Sequence, residues 1–107
     1  MNKELIELNL FLNFLYEAFL QTRKETHLYW VPIHSILKNL GISHILFQEK
    51  LKLIEKYRIE IDYKFGFESD CPPLKRHQLR NKLIYHNYGS GNVPVFIMQM
   101  EKGKYGY

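Results

Sequence analysis

Apolar residues near the start of the chain recur at spacings of three and four. Leu5, Leu8, Leu12, Leu15 and Phe19 fall on one stripe, which predicts a helix over residues 2–21. Ile6, Leu10, Phe11, Phe14 and Ala18 widen the apolar face well beyond that stripe. Such a helix is either covered on both sides within a core or serves as a dimer interface.

Residues 28–31 are short, aromatic and β-branched and fit a strand. Pro32 suits the first turn of a helix over 33–40, where its missing N–H costs nothing. That helix buries Ile33, Ile36, Leu37 and Leu40, and Gly41 stops it. Ser43 then caps a helix over 44–57 whose core stripe is Phe47, Leu51 and Ile54. Residues 58–65 alternate apolar and charged side chains, the period of a strand. Residues 66–73 form a loop, with Gly, Ser, Asp and two prolines. Pro73 can open a helix over 74–88, with Leu79 and Leu83 inward. Residues 89–92 make a glycine-rich turn. Residues 93–100 are β-like, and Pro94 assigns them to an edge or an extended docking segment.

Composition narrows the class. The chain has 107 residues, 46% hydrophobic and 24% charged, which fits one folded domain over 1–107. Aromatic content is 15%, enough to fill a core and leave rings for stacking. Cys71 stands alone, so no intramolecular disulfide forms; a reducing compartment and a plain thiol are expected. Acidic and amide residues interrupt the first twenty positions, unlike a signal peptide or a membrane span. A cytoplasmic location is therefore expected.

Charge adds a partner. The net charge is +4, and no Asp or Glu occurs from Cys71 to Met100. Lys75, Arg76, Arg80 and Lys82 lie in that stretch and equal the whole excess, with His77 and His86 among them. A local positive field of this kind favours a polyanion.

Arg80, Asn81, His86 and Tyr88 then follow within nine residues. Imidazole titrates near neutral pH and serves as acid or base, and guanidinium grips phosphate oxygens. On a helix, Arg80 and His86 are separated by about 9 Å of rise and about 120° of rotation, so a shared substrate or a second copy must unite them. The run resembles the HEPN family of helical ribonucleases and nucleotide-binding domains, whose signature is Arg, often Asn, then a His some residues on. The resemblance implies a dimeric helical bundle cleaving RNA without a metal, in toxin–antitoxin or phage-defence settings. It implies His86 as general base or acid, Arg80 as phosphate clamp and Asn81 as polar organiser. Tyr88 would be a modification site, and an antitoxin protein a possible partner.

Residues 33–65 also read as a helix-turn-helix followed by a wing. His44, Ile45, Leu46, Gln48 and Glu49 would face a DNA groove, and the basic run would contact phosphates as part of a long wing. Ile45, Leu46 and Glu49 suit that surface poorly. The histidines show no metal-ligand spacing, and Glu60 with Asp62 would face solvent from a strand. The 89–92 turn lacks the Lys-Ser/Thr of a phosphate loop.

The expected fold is thus mainly α, a HEPN-like helical bundle with a minor β component; the alternative is an α+β winged helix. The expected function is metal-independent RNA cleavage through Arg80, His86 and Asn81. Lys75, Arg76, His77 and Lys82 would bind the nucleic acid. A homodimer through residues 5–19 is expected, with no cofactor, metal or membrane. The alternatives are a winged-helix DNA-binding regulator and a non-catalytic basic interaction domain.

Overall fold

A computed structural model describes residues 2–71 and 77–103. The expected nucleic-acid contacts Lys75 and Arg76 lie outside the described residues. Helix α1 (Lys3–Thr26) starts at Asn2, whose Oδ1 accepts from the backbone N–H groups of Glu4 and Leu5. The helix runs five residues past the expected end. The Thr22 hydroxyl is buried, donates to the Ala18 carbonyl and accepts from Asn39 Nδ2. His27 closes the helix in the left-handed region, at φ 58°.

Strand β1 (Val31–Pro32) leads directly into α2 (Ile33–Leu40). Gly41, at φ 77°, lets the chain leave α2 in a conformation that a side chain would resist. Ser43 Oγ accepts from the Leu46 N–H and starts α3 (His44–Lys56). A 3₁₀ turn (Arg58–Glu60) precedes β2 (Tyr63–Glu68). After the basic stretch come β3 (Ile84–Asn87), β4 (Asn92–Val95) and β5 (Ile97–Lys102).

The main sheet has the order β1-β5-β2, with both pairings antiparallel. Met98 of β5 lies opposite Val31 on one side and Phe67 on the other. Leu8, Leu12, Leu15 and Phe19 of α1 are fully buried with Ile36, Phe47, Leu51, Ile61 and Met98 in one cluster. Burying side chains of this size supplies about 1.5–3 kcal/mol each before chain entropy is charged. Strands β3 and β4 form a separate antiparallel ribbon, with Ile84 opposite Val95. No helix among the described residues is long and apolar enough to cross a membrane.

This architecture corrects the expected helical bundle: the fold is α+β, with two antiparallel sheets. The expected helix over 74–88 is not continuous: within it the described residues include a turn and a strand. Residues 79–81 are a turn, and 84–87 are strand. Ile84 is buried, Tyr85 exposed, His86 half-buried and Asn87 exposed, an alternation of period two. Gly89 and Gly91, at φ 92° and 138°, then turn the chain back into β4. Pro94 sits in that two-stranded ribbon opposite Tyr85, while central β5 is proline-free. Strand β2 begins later than expected because residues 58–60 wind into the 3₁₀ turn, and it extends through Gly66 to Glu68.

Gly66 marks a close approach. A Cβ there would lie 2.8 Å from Trp30 Cη2 and 3.0 Å from Gln99 Cγ. Gly66→Ala should cost about 1–3 kcal/mol, the usual range for overpacking. It should also shift the fluorescence of Trp30, the one tryptophan in the chain. Urea melts followed by that emission check it; unchanged stability and spectrum would contradict the contact.

Candidate nucleic-acid interface

The β3–β4 ribbon is held against α3 by a side chain imitating a strand. Gln48 Nε2 donates to the Tyr85 carbonyl at 2.8 Å, and the Tyr85 N–H donates to Gln48 Oε1 at 2.7 Å. About two turns further along α3, on the same face, Glu55 approaches His86, with Oε1 3.8 Å from Nδ1. The ribbon therefore runs beside α3 and occupies the amide of Gln48, the best base-reading side chain expected there. Ile45 remains 62% exposed, and Glu49 and Lys52 are exposed, so α3 still offers one apolar side chain and charges of both signs there.

The structure separates the residues of the expected catalytic set. Arg80 and Asn81 are exposed in a turn in which the Lys82 N–H donates to the Leu79 carbonyl. Arg80 lines a shallow cleft with Ser69, Leu83, Val93, Pro94 and Phe96. His86 lines a different one, of about 380 Å³, with Glu55, Arg58, Lys64, Phe65 and Asn87 among its walls. The His86 ring stands between Phe67 and Tyr88, at centroid distances of 4.8 and 4.6 Å. The Tyr88 hydroxyl donates to the Phe67 carbonyl, and burial raises its pKa. His77 is exposed.

Burial is the main influence on His86 and pushes the imidazole below its ordinary value of 6.5. The Glu55 carboxylate opposes this by a smaller amount, and the Arg58 guanidinium reinforces it. The ion-pair geometry and the lowered basicity point opposite ways. Burial prevails: 3.8 Å is too long for a hydrogen bond, and Nδ1 makes none among the described residues. At neutral pH the ring is uncharged beside its carboxylate.

A third arrangement was not anticipated. Lys38 of α2, His44 at the start of α3 and Lys82 of the basic stretch all line one cavity of about 500 Å³. Its floor is apolar, with Ile33, Leu37, Ile42, Ile84, Val95 and Phe96. The sequence shows Lys38 three residues before the Gly41 turn, but gives no sign that Lys82 folds back beside it. Among the described residues no group of three His, Cys, Asp or Glu side chains stands ready for a metal. No family model, curated protein or solved structure matches the chain.

Two outcomes follow for the ribbon. Gln48→Ala removes both bonds to Tyr85 and should cost about 1–3 kcal/mol. Amide hydrogen exchange at Tyr85 should then speed up while the β2–β5 amides keep their protection; equal protection in the variant would contradict the docking. The pH dependence has a definite sign. The unfolded imidazole binds its proton near 6.5, before the folded one does, so this group's stability is present above that pH and lost as pH falls through it. Stability should decline between pH 7 and 5, and His86→Phe should flatten that decline. An NMR titration midpoint for His86 above 6.5 would refute the assignment.

Proposed function

We propose that the chain is a nucleic-acid-binding module of winged-helix type that grips the phosphate backbone of a DNA duplex. The observation that carries this reading is the meeting of Lys38, His44 and Lys82, from two helices and the inserted basic stretch, around one cavity beside the start of α3. The order α1-β1-α2-α3-β2-β5, with β5 between β1 and β2, supports it, because that is the order in which a helix-turn-helix carries a wing. The wing is here the span between β2 and β5, which from Cys71 onward has no Asp or Glu. Arg80, Lys82 and His77 contact phosphates, and Asn81 can donate to the same oxygens. With Gln48 committed to Tyr85 and Glu49 facing outward, α3 adds little base reading.

Fluorescence anisotropy with an arbitrary duplex tests this. Affinity should fall steeply with salt, because each neutralised phosphate releases counterions. Arg80→Glu with Lys82→Glu should weaken binding at least tenfold, and affinities for unrelated duplex sequences should agree within a few-fold. No binding at low salt, or a double variant equal to wild type, would sink the proposal.

His86 favours a second reading, RNA cleavage without a metal. Glu55 and Arg58 share its cleft, an acid–base pair with a phosphate-sized cation beside it. Arg58 then takes the clamp role that the family resemblance implies for Arg80. Labelled RNA incubated in EDTA should be cut by wild type and spared by His86→Ala and Arg58→Ala. Intact RNA with wild type ends this reading and leaves duplex binding untouched.

A further inference from the structure

Helix α1 has two apolar faces and the fold covers one of them. Leu8, Leu12, Leu15 and Phe19 point inward and are fully buried. Ile6, Leu10 and Phe14, at successive intervals of four, lie on the opposite face. They are 43%, 56% and 62% exposed. Three large side chains left in water along one line make a surface that gains by being covered.

The polar residues on this face identify what covers it. Lys3 lies one turn before Ile6, and Glu17 one turn after Phe14. If a second α1 runs antiparallel with Leu10 facing Leu10, residues whose numbers sum to twenty come level. Ile6 then meets Phe14 of the other copy, about 6 Å from the axis, and Lys3 meets Glu17, about 10.5 Å from it. Each of these three apolar residues finds an apolar one, Lys3 finds an opposite charge, and Glu7 comes level with the neutral Asn13. Other alignments do worse. A parallel pair sets Lys3 against Lys3 and Glu17 against Glu17. An antiparallel pair with Leu10 facing Phe14 sets Glu7 against Glu17. A membrane surface fits poorly too, since Glu7 and Glu17 flank the stripe and anionic headgroups repel them.

We infer that two copies of the chain pair through the outward face of α1, antiparallel about a two-fold axis at Leu10. Such an interface is self-complementary and closes at two. The inference does not depend on the nucleic-acid reading, and the first test needs no nucleic acid.

Sedimentation equilibrium of the full chain should give a dimer with a micromolar dissociation constant. Lys3→Glu and Glu17→Lys should each weaken it at least threefold, and the two together should restore it. Under mild oxidation, Leu10→Cys should form a disulfide-linked dimer. Phe14→Cys should not, because its two copies lie about 12 Å apart along the axis. Ile6→Cys with Phe14→Cys in one chain should crosslink. Wild type, with Cys71 buried, is the control for these. The substituted side chains are exposed, and circular dichroism checks that each variant folds. A monomer at high micromolar concentration overturns the inference. So does crosslinking of Phe14→Cys equal to that of Leu10→Cys, or failure of the double charge reversal to restore pairing.

Discussion

Everything in the fold depends on β5 lying between β1 and β2. Met98 is fully buried because Val31 and Phe67 flank it on neighbouring strands, while Leu and Phe side chains of α1 share its cluster. Since β5 is the last strand, the chain must leave the sheet after β2 and return between two strands already separated by α2 and α3. Among the described residues between Glu68 and Ile97, β3 and β4 pair with each other outside that sheet, and Tyr85 docks on Gln48 of α3. The acid-free stretch of the sequence thus carries its own two-stranded ribbon, anchored to the core through Ile84 and Val95.

The ribbon in turn decides what α3 can do. A helix following a tight glycine turn ordinarily presents its outward side chains to a partner. Here Gln48 has both ends of its amide satisfied by the backbone of Tyr85, and Glu55 faces His86. The helix keeps Ile45, Glu49 and Lys52 outward, while Lys38, His44 and Lys82 line one cavity at its beginning. Chemistry so distributed suits phosphates, which any duplex offers, better than base edges, which differ between sequences.

Much of this was legible in the sequence. The α1 stripe, the Gly41 stop and the Ser43 cap follow from spacing and local chemistry, and each falls where expected. The basic stretch reads as helix because Leu79 and Leu83 are four apart, which mimics helical periodicity, while the alternation Ile84-Tyr85-His86-Asn87 is only four residues long. The pairing that decides between them, Ile84 with Val95, is made across the turn and leaves no local trace. The cavity ringed by Lys38, His44 and Lys82 was out of reach for the same reason: it joins residues 38 and 82, and only the position of β5 brings them together. The excess exposure of α1 was visible as too many apolar positions for one buried face.

The most direct measurement of the central claim is an NMR titration of the labelled chain with a short duplex at low salt. The account predicts that the largest amide shifts fall on Lys38, His44, Arg80, Asn81 and Lys82, with Ile45 and Glu49 moving little. Shifts confined to the outward face of α3, or no shifts at saturating duplex, would contradict it.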